Sequence, residues 1–199
     1  MTLNNKIMGQ HKDCKQLDPE RKFKIRVDNN GKILFVNKYF TEFTGYKIHE
    51  LILKDFSKLF DSDMPKMALQ LLIQEIELQP VTYFIYKGVN NDGSCYWALL
   101  RSTQNITAQN ELDGYNFEVK LLPQVSIEKI DRIYDIVREI EKNAGLDAAV
   151  KYFEGYLEEK NMKFKDFILD ATKISEKKAK EYFAIDIDST EKKKKRSWF

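Results

Sequence analysis

Two cysteines, two histidines and a basic C-terminal run are the side chains on which chemistry would have to rest in this chain of 199 residues. Cys14 stands in a polar stretch and Cys95 beside Tyr96-Trp97. That separation suggests neither a disulfide framework nor a thiolate zinc site, and no bound metal is expected. His11 and His49 are also far apart, and no Ser/His or Cys/His relay can be nominated from them. Nothing in Lys47-Ile48-His49-Glu50 forces an imidazole into an apolar cavity, so haem ligation by His49 is not expected. Gly-rich nucleotide loops, G-x-S-x-G and H-E-x-x-H are missing. The chain therefore reads as a non-enzyme.

The formal charge of +2 is unevenly spread, with +4 in Ser189–Phe199 and −2 in the preceding 188 residues. A nucleic-acid-binding body would show a basic face across its folded domain, so no specific nucleic acid is expected as a partner. Lys192, Lys193, Lys194, Lys195 and Arg196, next to Trp198 and Phe199, suit several roles. They fit a solvated tail, adhesion to anionic membrane, non-specific nucleic-acid contact or docking on an acidic partner. The longest hydrophobic run, Cys95–Leu100, has six residues, far short of the ~20 that span a bilayer. Met1–Glu20 has no apolar segment of the signal-peptide kind. A cytoplasmic location is expected.

The elements that must position these residues follow from periodicity. Phe23, Ile25 and Val27 alternate with lysines and arginine, Asp28-Asn29-Asn30-Gly31 makes a tight turn, and Ile33–Val36 returns as a second strand. Asn37 is read as the N-cap of a helix carrying Tyr39, Phe40 and Phe43, with Gly45 past its end. A short helical turn spans Ile48–Ile52. Asp63 is read as the N-cap of a longer helix running to Leu78 and stopped by Pro80. Val81–Val89 and Ser94–Thr103 form a second hairpin about Asn90-Asn91-Asp92-Gly93, and Gly114–Leu122 a fifth strand. Tyr96 and Trp97, adjacent on a strand, must face opposite sides of the sheet. Ser126 caps a well-defined helix, and Gly145 separates it from further helical segments around Ala149–Leu157, Phe164–Ala171 and Lys173–Phe183. The fold class is α+β, a five-stranded antiparallel sheet with a separable helical C-terminus.

The motif Asp28-Asn-Asn-Gly31, with Ile33, Val36-Asn37, Phe40, Thr44-Gly45-Tyr46 and Glu50-Leu51, resembles the N-terminal signature of PAS domains. The hairpin Asp92-Gly93 followed by Tyr96-Trp97 continues the likeness, which covers about half of the chain. Asp63-Met64-Pro65-Lys66, together with that hairpin, looks most like the PAS domain of bacterial aerotaxis receptors. The resemblance implies a sheet covered on one face by short helices, enclosing a pocket that in relatives holds flavin, haem, a small metabolite or nothing. It implies sensing and protein interaction, with output through the helix that leaves the last strand.

The departures bear on cofactors. An Arg-His pair and a Pro precede the Asp-Met-Pro triplet in the aerotaxis pattern, where this chain has Phe60, Asp61 and Ser62, and Ile73 replaces a Trp associated with flavin. FAD is thus the cofactor the resemblance implies and the one whose residues are not matched; none is expected. The stretch Lys54–Phe60 lacks the cysteine of a light-driven adduct. A small uncharged ligand would be lined by Asn37, Phe40, Phe43, Leu72 and Trp97, with Asp63 as a cap first and a contact second. The expected organisation is a flexible arm at 1–21, a PAS-type sensor domain at 22–124, a helical region at 125–184 and a basic tail at 185–199. Partners expected are signalling proteins and a second copy of the chain. The alternatives to a ligand or redox sensor are a ligand-free interaction scaffold and a small-ligand enzyme on an α+β cavity.

Overall fold

The computed structural model describes residues 14–122 and 124–185. Expectations for His11, for residues 1–13 and for the tail, including Lys192–Arg196 and Trp198, lie outside the described residues.

Strands β1 (Phe23–Val27) and β2 (Ile33–Val36) form the first hairpin, and helix α1 (Lys38–Thr44) follows at once. Asn37 caps α1 by accepting from the Phe40 amide, and Gly45 ends it at φ 76°, a left-handed conformation that glycine adopts without steric cost. Helix α2 (Ile48–Leu51), a 3-10 turn (Phe56–Leu59) and helix α3 (Lys66–Leu78) cross over to β3 (Val81–Val89), β4 (Cys95–Ile106) and β5 (Leu112–Leu121). The last two strands run further toward each other than the periodicity indicates, leaving a tight turn at 107–111. The sheet order is β2-β1-β5-β4-β3, antiparallel at every junction. Helices α4 (Gln124–Ala144), α5 (Leu146–Glu159), α6 (Phe164–Thr172) and α7 (Glu176–Ala184) complete the chain.

Register sorts the side chains into two faces, because cross-strand partners share a face and neighbours alternate. The pairs Phe23↔Val119, Ile25↔Phe117, Leu100↔Val119, Phe84↔Leu100 and Tyr86↔Ala98 put one apolar set toward α1–α3, the inner face. Tyr83↔Arg101, Ile85↔Leu99, Lys87↔Trp97 and Arg101↔Glu118 belong to the outer face.

Four expectations need correction. Helix α3 begins after Pro65, not at Asp63. The Asp61 main-chain carbonyl and carboxylate close a turn onto the Met64 and Asp63 amides, which holds Asp63 outside the helix. Helix α4 starts at Gln124, so Ser126 lies inside it, fully buried, and caps nothing. The C-terminal helices are not separable from the sheet: Ile130, Tyr134, Val137, Phe153, Phe164, Ile168 and Phe183 share one apolar core with the strands. The arm is not loose over its described part, since Leu17 is buried in that same core. Among the described residues no helix is long and apolar enough to cross a membrane.

Candidate functional site

Aromatic rings occupy the space between the inner face and α1–α3. Phe23 lies with ring centroids 5.0 Å from Phe40, 5.2 Å from Tyr39, 5.6 Å from Phe43 and 5.7 Å from Tyr96. Phe56 is 4.6 Å from Phe117 and 5.2 Å from Phe60, which is itself 5.2 Å from Tyr86. The Tyr86 and Tyr96 hydroxyls bond each other at 3.3 Å. Burial raises both phenol pKa values above the ordinary range, so the pair is neutral at physiological pH. Gly88 makes this packing possible, because a Cβ there would fall 2.2 Å from the Tyr96 ring. The edge-to-face pairs among these rings, Phe23–Phe40, Phe23–Tyr96 and Phe56–Phe60, contribute about 0.5–1.5 kcal/mol each beyond the area they bury.

Phe56, Phe60, Tyr86 and Tyr96 pack ring against ring, and the two tyrosine hydroxyls share one hydrogen bond. Ile73 is 46% exposed on α3, and Asp61 stands 3.8 Å from the Lys87 ammonium.

Of the expected lining residues, Phe40 and Leu72 are buried in the core and Phe43 packs against it, partly buried. Asn37 lies beside them but spends its amide on the backbone, accepting from the Lys24 and Phe40 amides and donating to the Lys22 carbonyl. Trp97 is not in this space. Being one residue from inward-facing Tyr96, it faces outward and stacks on Tyr134 of α4, centroids 6.3 Å apart at 27°. Asp63 is exposed and takes the Lys87 ammonium at 2.9 Å. His49 is exposed on α2.

The outer face carries the C-terminal helices on a mixture of rings and ammonium groups. Tyr134 donates to the Ile85 carbonyl at 2.8 Å, and Phe183 of α7 packs on Tyr83. Lys22 and Lys120, both buried, donate to the Phe183 and Ile185 carbonyls where α7 ends. Cations at a helix C-terminus satisfy its last carbonyls and oppose the negative end of its dipole. Tyr182 donates to the Leu121 carbonyl, and burial pushes its phenol up to about 12.

A second junction joins α4 to α3. Pro65 precedes α3 with no side-chain cap, and the carboxylate of Glu141, on α4, fills that role from 74 residues away. Its oxygens accept from the Met67 amide at 2.6 Å and the Lys66 amide at 3.2 Å. Arg138, three residues earlier and on the same side of the helix, donates to the Asp63 carbonyl at 2.6 Å. An acid at a helix N-terminus is worth about 0.5–2 kcal/mol. Sequence reasoning missed Glu141 and Arg138, since a polar i, i+3 pair on an amphipathic helix looks like solvent-facing charge.

A third junction holds the arm. Cys14 and Cys95 form a disulfide, contrary to the expectation from their spacing, with Cα atoms 4.5 Å apart. The fold brings them together at the start of β4, where β5 does not yet pair and the Lys15 amide bonds the Cys95 carbonyl at 2.8 Å. The Lys15 ammonium meets Asp92, the Asp18 amide donates to the Tyr39 hydroxyl, and Arg21 lies 3.9 Å over the Tyr39 ring. Closing a loop with a sequence separation of 81 is worth about 4.5 kcal/mol in the chain-entropy account.

A PAS sheet with its helical cover is the class of domain this geometry defines. Residues 23–118 match the PAS domain family, and that segment is a PAS domain. Among solved structures, a light-oxygen-voltage domain described in work on a flavin analogue matches at a TM-score of 0.50 and 15% identity. It covers 56% of this chain and 84% of its own. A PAS domain from Colwellia psychrerythraea matches at a TM-score of 0.47 and 16% identity, covering 50% and 85%. At such identity the likeness concerns the fold. No curated protein matches the sequence.

Proposed function

We propose that this protein is a non-catalytic signalling module, in which the PAS domain is read out by contact through its C-terminal helices. The observation that carries the proposal is the Glu141 carboxylate on the N-terminus of α3, which makes an inner-face helix and the first C-terminal helix share hydrogen bonds. A shift of α3 changes that junction directly, and α4 transmits it to the helices packed on the outer face. The ring-filled inner space supports a scaffold that works without FAD or haem over one that encloses a cofactor. The motif likeness to aerotaxis receptors at Asp63–Lys66 and Asp92–Trp97 supports signalling proteins as partners, with a second copy of the chain among them. The basic tail adds an anionic membrane or an acidic partner, and the location is cytoplasmic.

Leu72→Ala tests the proposal by opening a cavity beneath α3. Amide hydrogen exchange in α4–α7 should rise at least about fivefold while β4 and β5 hold their protection. Unchanged exchange in α4–α7 would refute readout through these helices. A visible flavin spectrum from the purified protein, with one flavin per chain in native mass spectrometry, would refute the cofactor-free form.

A further inference from the structure

We propose that Cys14 and Cys95 form a thiol–disulfide redox site that pins or releases the N-terminal arm. This deepens the reading above by naming an input to the same module, and it rests on that reading for its consequence.

The two sulfurs are unequally accessible, with Cys95 fully buried and Cys14 partly exposed. Attack therefore falls on Cys14. A thiolate of a dithiol reductant bonds to Cys14 Sγ, the Cys14–Cys95 bond breaks, and Cys95 leaves as a thiolate that takes a proton. The second thiolate of the reductant then attacks its own sulfur in the mixed disulfide, closes a cyclic disulfide and expels Cys14, which is protonated. Two electrons and two protons pass to the protein, and a low-molecular-weight disulfide reverses the exchange. In a reducing compartment a bridge of this kind is transient and serves redox sensing or catalysis.

Release is local because the arm is not a strand of the sheet. Besides the bridge, the ties of residues 14–21 to the rest of the fold include the Lys15 amide on Cys95, an exposed Lys15–Asp92 pair, buried Leu17, contacts of Asp18 and Arg21 with Tyr39, and an Arg21–Glu42 ion pair at 3.2 Å. An exposed pair adds little. Freeing the arm uncovers the end of β4 that β5 does not reach, and Trp97, two residues along and on the same face as Cys95, stacks on Tyr134 of α4. The bridge thus lies next to the surface on which the C-terminal helices dock.

The full chain is digested with trypsin before and after dithiothreitol, following cleavage after Lys15, with amide exchange read in parallel. Reduction should speed that cleavage at least about tenfold and raise exchange in α4, while β1 and β5 stay protected. Oxidised glutathione should restore the slow rate, and Cys14→Ser should be fast with or without reductant. Unchanged cleavage on reduction would overturn the proposal. So would loss of protection across the whole sheet, which marks a fold staple, or failure of oxidised glutathione to re-form the bridge by mass. Arm release with α4 unmoved would overturn the input and leave the Leu72→Ala test standing. Failure of that test with the arm still released would refute the readout alone.

Discussion

The two faces of the sheet are sealed by different physics. On the inner face, Phe23, Phe40, Phe56, Phe60, Phe117, Tyr86 and Tyr96 interlock, and the one hydrogen bond between their side chains joins two tyrosines to each other. On the outer face, Tyr134, Tyr182, Lys22 and Lys120 each reach a main-chain carbonyl across the junction between sheet and helix. Close packing loses stability steeply when any ring is removed, whereas single hydrogen bonds worth about 0.5–1.5 kcal/mol can be exchanged one at a time. The inner face is therefore held by interlocked rings, while the outer face adds side-chain bonds to main-chain carbonyls on top of a buried apolar core of its own.

Removing an inner ring should produce the largest effect. Phe23→Ala empties the centre of four ring contacts and is expected to cost about 3–5 kcal/mol in chemical denaturation. A cost below 1 kcal/mol would mean that the inner face is loosely filled and could admit a ligand. Cutting the covalent tie should come next: Cys14→Ser is expected to cost about 2–4 kcal/mol, and reduction of the parent chain should cost the same. Agreement between the two would assign the loss to the bridge itself. The outer face should yield less. A double-mutant cycle of Trp97→Leu and Tyr134→Leu should return a coupling of about 0.5–1.5 kcal/mol, and no coupling would remove this stack from the account.

The sequence carried the strands because each is half-buried and alternates, as in Phe23-Lys24-Ile25-Arg26-Val27. It carried Asn37 and Gly45 because both act on their own helix. What it could not carry is any role supplied from a distance. Asp63 has the right residue type for a cap but lies two residues before Pro65, the N-cap position, and the capping carboxylate comes from Glu141 on another helix. Alternation puts Tyr96 and Trp97 on opposite faces, but which face meets α1–α3 depends on the register of β4 against its neighbours. The Cys14–Cys95 bridge depends on where an arm without periodicity crosses the sheet.

The central claim is that α3 and the C-terminal helices are coupled through Glu141, and Glu141→Ala tests it most directly by amide hydrogen exchange across the whole chain. Faster exchange is expected at Lys66 and Met67, which lose their acceptor, and also through the second half of α4 and into α5, with β3, β4 and β5 unchanged. An effect confined to the Lys66 and Met67 amides, with α4 and α5 exchanging as before, would contradict the claim.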